Sequence, residues 1–199
     1  MSGVTLDEYD WFSTSDLGFC FTFVRGLTPE EAFQRIGVEL LTDENEEDED
    51  VLGGVLRAEP ADGGALLIEE NGYAGTMDEL LRPLSAGTAV ASVFRNGDFD
   101  QTFVYYEDGR EILGFDPQFP GDSRSGAEPD RHLADMRDLG LIAEDGEDGP
   151  DAGVEAALAL AERLTGVRAT PDEHEGPEGP GGPGNHGGSI GLKGILPDY

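Results

Sequence analysis

The stretch TAVASVFRNGDFDQTFVYYEDGREILGF, residues 88–115, decides the fold. Ala89, Ala91 and Val93 alternate with Val90, Ser92 and Phe94. That period of two sends successive side chains to opposite faces of a strand. Asn96-Gly97 then turns the chain, Thr102–Tyr106 is rich in β-branched and aromatic residues, and Asp108-Gly109 leads into Ile112–Phe115. An Asp-Gly pair between two such runs is a strong hairpin signal. The segment is therefore predicted to be a three-stranded antiparallel meander.

Working toward the N-terminus, Gly18–Val24 reads as a strand with Phe19, Phe21 and Phe23 on one face and Cys20, Thr22 and Val24 on the other. Both faces are largely apolar, which predicts a central strand. Thr28, Pro29 and Glu31 form a capping box with proline at the first helical position. They predict a helix to about Ile36, stopped by Gly37, with Ala32, Phe33 and Ile36 buried. Val38–Leu41 reads as extended, and residues 51–57 and 64–70 as two further strands. Thr76 and Glu79 look like a second capping box, opening a short helix over Met77 to about Arg82, with Pro83 at its end.

On the C-terminal side, Pro129 opens a helix that ends before Gly140 and buries Leu133, Met136 and Leu139. Asp151 is expected to cap a helix to Leu164, with an amphipathic stripe of Val154, Ala157, Leu158, Ala161 and Leu164. The expectation is an α+β domain: an antiparallel, or mixed, sheet of five or six strands with helices mainly on one face. Residues 1–17 read as an N-terminal arm anchored by Tyr9, Trp11 and Phe12, residues 18–168 as the single domain, and 169–199 as a Gly/Pro-rich disordered tail. The tail's last stretch, with Ile190, Leu192, Ile195, Leu196 and Tyr199, reads as a frayed terminus or a short linear motif.

Charge bounds the partners. The chain has 43 Asp plus Glu against 12 Lys plus Arg, a formal net charge of -31 over 199 residues. Such a surface repels nucleic acid and anionic membranes, which are approached with Lys and Arg. It attracts basic proteins, over a screening length of about 10 Å at 0.1 M salt. The acid is concentrated in Asp43, Glu44, Glu46, Glu47, Asp48, Glu49 and Asp50, and again between Glu144 and Asp151. Arginine replaces lysine everywhere except Lys193. That bias suits a GC-rich genome such as an actinobacterium, and acidic lysine-poor surfaces also suit a halophile. A lone cysteine, Cys20, excludes an internal disulfide and any Cys-based zinc site. The first residues are acidic and no run reaches 18 apolar residues, so neither a signal peptide nor a membrane span is expected. By elimination the expected compartment is the cytoplasm.

Reactive constellations fail on their own terms. His174 and His186 lie in the tail, and His132 sits beside an apolar stripe, so no base is paired with a nucleophile. Gly121 to Gly126 does not match the nucleophile elbow, and the glycine-rich Gly179 to Gly188 has no following Lys-Ser/Thr. A calcium loop begun at Asp43 would need glycine where Asp48 stands. No metal and no cofactor are therefore expected. Arg25 and Arg124 are the candidates for an anion site, against the alternative that they pair with core-edge carboxylates.

Several segments together resemble a known family. They are Cys20–Glu31, Val93–Asn96, Tyr106–Gly109, Phe115-Asp116-Pro117, Phe119-Pro120, Arg124, Pro129-Asp130, Met136 and Leu158–Val167, preceded by Trp11. Over about residues 9–170 the chain resembles a family of small actinobacterial proteins described as a domain of unknown function. The resemblance implies no activity and no site, and the acidic run at 43–50 and the tail look like additions to it. The leading expectation for function is a non-enzymatic cytoplasmic binding protein, of immunity, inhibitor or adaptor type, whose acidic face engages a basic protein. The alternatives are a small enzyme with a carboxylate/Arg site and a salt-adapted domain with no charge-specific partner.

Overall fold

The computed structural model describes residues 18–41, 55–70, 72–169 and 191–197. Within them one antiparallel sheet holds eight strands: β1 (Phe19–Arg25), β2 (Glu39–Leu40), β3 (Val55–Ala61), β4 (Gly64–Glu70), β5 (Ala89–Arg95), β6 (Gln101–Glu107), β7 (Arg110–Phe115) and β8 (Leu192–Ile195). Their order across the sheet is β2-β8-β3-β4-β1-β5-β6-β7. Four helices accompany it: α1 (Pro29–Ile36), α2 (Asp78–Leu84), α3 (Leu133–Asp138) and α4 (Val154–Thr165). The class is α+β, with eight strands rather than five or six.

The meander forms as expected. β5, β6 and β7 pair in sequence, and Asp108 and Gly109 turn the last hairpin with φ of 48° and 75°. β1 lies between β4 and β5, and its first six residues are buried. Its two apolar faces need two covers, so the helices divide between the faces rather than gathering on one. Phe19, Phe21 and Phe23 face a core shared with Ala89, Ala91, Val93, Phe103, Tyr105 and the apolar residues of α3 and α4. Val24 faces a second core with Leu67, Val90, α1 and α2.

Helix starts follow the sequence at α1 and depart from it elsewhere. Thr28 and Glu31 close the capping box and Gly37 ends α1 in the left-handed region with φ 69°. Thr76 does not cap α2. Its hydroxyl donates to the Tyr73 carbonyl 2.8 Å away, closing a 3-10 turn over Ala74–Thr76, and Met77 takes the N-cap position without a side-chain bond. Pro83 lies inside α2, near enough to its end that only one helical hydrogen bond is forgone. Helix α3 begins at Leu133, later than Pro129, because residues 126–132 run as bends and turns alongside β7. At α4 the N-cap is Gly153, not Asp151. Ala156, Ala159 and Leu160 are buried as well as the expected stripe, so this helix is covered nearly all round.

The last described segment belongs to the sheet. β8 pairs with β3 from Val55↔Ile195 to Ala58↔Leu192, and with β2 at Glu39↔Ile195. The reading of these residues as a frayed terminus or linear motif is thus corrected. Four residues of modest apolarity carry little signal alone, and their partners lie far up the chain. The expected arm at 1–17 and most of the tail fall outside the described residues. Gly194 is buried where β8 crosses α1, and a Cβ there would overlap Val38 Cγ1 and sit 2.8 Å from the Glu39 carbonyl oxygen. Gly194→Val should detach β8 and cost about 1–3 kcal/mol by overpacking. Thermal melting, together with faster amide exchange in β3, would register it. An unchanged melting temperature would contradict the placement of β8.

Candidate functional site

Four polar side chains lie beneath the 3-10 turn on the α1/α2 side of the sheet. Register sets them there: Cys20 opposes Glu69 on β4, and Thr22 opposes Ser92 on β5. Thr22 Oγ1 and Ser92 Oγ are 2.9 Å apart, and Ser92 Oγ lies 3.3 Å from Cys20 Sγ. Glu69, 3% exposed, accepts the amide hydrogens of Ala74 at 2.9 Å and Gly75 at 2.6 Å. Gly75 closes the knot, since a Cβ there would strike Thr22 Oγ1 and come within 2.8 Å of Cys20 Sγ.

The electrostatics make this knot a structural device. Burial raises the Glu69 carboxyl above the ordinary carboxylate range, opposed by the two backbone N–H bonds. Burial and the neighbouring Glu69 push the Cys20 thiol far up, and a nucleophilic cysteine needs the opposite shift. Parity along β4 placed Glu69 on the face of Leu67, and that was the signal available in the sequence.

A second linked set lies where β6 meets α3. The Tyr105 hydroxyl donates to Glu107 Oε1 at 2.5 Å, and Arg131 grips the same carboxylate with NH1 at 2.6 Å and NH2 at 3.2 Å. Burial opposes ionisation of Glu107, but Tyr105 and Arg131 outweigh it and hold the carboxyl below its usual range. His132 packs edge-on against Tyr105 with ring centroids 5.4 Å apart, and its Nδ1 lies 3.6 Å from Asp135 Oδ2. Burial, with the charge of Arg131, keeps the imidazole below its ordinary range and so neutral near pH 7. Asp135 in turn lies 3.5 Å from Arg163 NH1, which reaches Asp138 at 3.1 Å. This chain of ion pairs, hydrogen bonds and ring contact fastens α3 to β6 and α4. It was not visible in the sequence, because its partners, Glu107 with Arg131 and Asp135 with Arg163, stand 24 and 28 residues apart in the chain.

The two arginines singled out in the sequence hold separate acceptors. Arg25 donates to the carbonyl oxygens of Thr165, at 2.7 Å, and Leu164, so it caps the C-terminal end of α4, where a cation is favoured. Arg124 NH1 donates to the Pro120 carbonyl at 2.7 Å, and its Nε lies 3.6 Å from Asp130. No anion cradle is formed by the pair. The acidic run Asp43, Glu44, Glu46, Glu47, Asp48, Glu49 and Asp50 lies outside the described residues. The second run is described: Glu144, Asp145, Glu147, Asp148 and Asp151 are all exposed on one loop. Among the described residues no group of three or more His, Cys, Asp or Glu is arranged to hold a metal ion, and no helix is long and apolar enough to cross a membrane.

Removing the Glu69 carboxylate strands the buried Gly75 amide and the half-buried Ala74 amide, so Glu69→Ala should cost about 2–4 kcal/mol in urea denaturation. The pH dependence has a definite sign. The raised Glu69 favours the protonated form in the fold, so its contribution is complete below the usual carboxylate range. As pH rises, the unfolded chain releases its proton first, and stability is lost until the folded carboxyl ionises. Relative to Glu69→Gln, the native protein should therefore lose stability from pH 4 upward. A difference that is flat or of opposite slope would contradict the assignment.

A family model, described as a family of unknown function, covers residues 38–175. That span runs from β2 to beyond α4 and leaves out β1, α1 and β8. No curated protein and no solved structure matches the chain. With more than half of its length inside the match, the chain belongs to the family of unknown function designated DUF6461.

Proposed function

We propose that this chain is a non-enzymatic cytoplasmic binding protein, of immunity, inhibitor or adaptor type, whose acidic surface engages a basic protein partner. One observation carries the reading: most described arginines are turned onto the protein's own acceptors. Arg25, Arg35 and Arg124 donate to backbone carbonyls. Arg57, Arg82, Arg131 and Arg163 pair with carboxylates of the same chain. With 43 acidic residues against 12 basic ones, the charge left facing water is overwhelmingly negative.

A field of one sign accelerates encounter with an oppositely charged protein and rejects like-charged partners. Short-range contacts then set specificity. The buried and half-buried carboxylates support the same reading. Glu69 closes a turn, and Glu107 and Asp135 fasten α3 in place. Of the alternatives, an enzyme built on Arg25 and Arg124 has lost its shared site, since each arginine is committed to different carbonyls. A salt-adapted domain without a specific partner would unfold at low salt and recover in molar salt, and that outcome separates it from the binding reading.

The test has two stages. Proteins retained by the immobilised full chain at low salt are identified, and the association rate of the purified companion is followed by stopped flow as salt rises. A basic companion is expected, with a rate falling at least about tenfold between about 20 mM and 300 mM salt. A neutral or acidic companion, or a rate indifferent to salt, would contradict the proposal.

A further inference from the structure

At one end of the sheet two phenylalanines stand in water. Phe99 is 65% exposed and Phe119 56% exposed, whereas every phenylalanine of β1, β6, β7 and α1 is buried. Leaving side chains of this size largely exposed forgoes much of the stabilisation that burial would bring, so two such rings on neighbouring loops call for an occupant. The neighbourhood is fixed by hydrogen bonds. Gln118 Nε2 donates to the Phe99 carbonyl at 2.6 Å, joining the loop after β7 to the β5–β6 turn. The amide of Gly121 donates to Asp148 Oδ1 at 2.8 Å, joining that same loop to the segment before α4.

The charge around the rings selects the occupant. Residues 96–100, 116–123 and 144–151 contain nine carboxylates and no Lys or Arg. Asp98, Asp100, Asp122, Glu147 and Asp148 are exposed among them. The protein already places a guanidinium against this aromatic surface, with Arg95 lying 5.9 Å from the Phe99 ring centroid and 5.4 Å from that of Phe19. A planar cation is the group that both an aromatic face and a carboxylate rim accept. A nucleic acid or anionic membrane would be repelled, and a second copy of the chain would bring the same negative rim.

We infer that Phe99 and Phe119 form the docking surface for an arginine-bearing segment of a protein partner, its guanidinium groups stacking on the two rings while flanking cations pair with the rim. The inference rests on the binding reading above and gives it a location. Both side chains project into solvent, so their removal leaves the two cores intact.

The experiment uses the full chain and two synthetic peptides of equal length and charge, one with arginine and one with lysine as its cations, followed by fluorescence anisotropy. The arginine peptide is expected to bind more tightly than the lysine one. Phe99→Ala/Phe119→Ala should weaken the arginine peptide about tenfold and leave the salt dependence in place. Asp98→Asn/Asp100→Asn/Asp122→Asn should weaken both peptides and flatten the salt dependence. If the double phenylalanine variant binds like the native chain, the docking surface is wrong while the charge reading stands. If neither peptide binds the native chain at low salt, the charge reading itself fails. A native dimer that becomes monomeric in the double variant, by sedimentation, would assign the surface to a second copy and overturn the proposal.

Discussion

The constraint on which the rest depends is the burial of β1 on both faces. It is the first described strand in the chain, yet it lies inside the sheet, hydrogen-bonded to β4 on one side and β5 on the other. Three phenylalanines on one face and Cys20, Thr22 and Val24 on the other cannot all be buried by a single helical layer. Two covers are required, and α1 with α2 and α3 with α4 supply them. Each buried phenylalanine contributes about 1.5–3 kcal/mol, so the strand has a large share in the stability of both cores. Because its partners come later in sequence, the sheet closes only when distant segments meet, and such non-local pairing slows folding.

Local signals in the sequence carried much of this. The period of two in residues 88–115, the Asp108-Gly109 turn and the Thr28 capping box each encode their element within a few residues, and each was legible. The face on which a helix packs is not local. The stripe on α1 marks the side that is buried and says nothing of which side of the sheet receives it. Caps were legible only where the side chain had no better partner. Thr76 met the Tyr73 carbonyl first, and the Asp151 reading gave way to Gly153. β8 was hidden because a strand so short is defined by its neighbours, β2 and β3, rather than by its own pattern.

The polar interior follows the same logic. Glu69 could be placed by parity, yet an acid after an apolar run reads as the end of a strand. Only the folded chain reveals the two amides waiting above it. For Arg25 the sequence offered a ligand anion or a core-edge carboxylate, and the fold supplies instead the carbonyls at the end of α4. A carbonyl is an acceptor without a letter of its own in the sequence. Composition, by contrast, was informative from the outset, because the sign of the surface is a sum over residues and needs no coordinates. The folded chain adds that the cations are mostly engaged internally, and that the exposed aromatics stand among carboxylates.

The most direct test of this architecture is native-state hydrogen exchange resolved by residue. The amides of β1 at Cys20–Val24 should exchange only through global unfolding, as slowly as any in the protein, with those of β7 and β2 opening earlier at the sheet's edges. If β1 exchanged as fast as those edges, it could not be the strand that holds the two helical layers together.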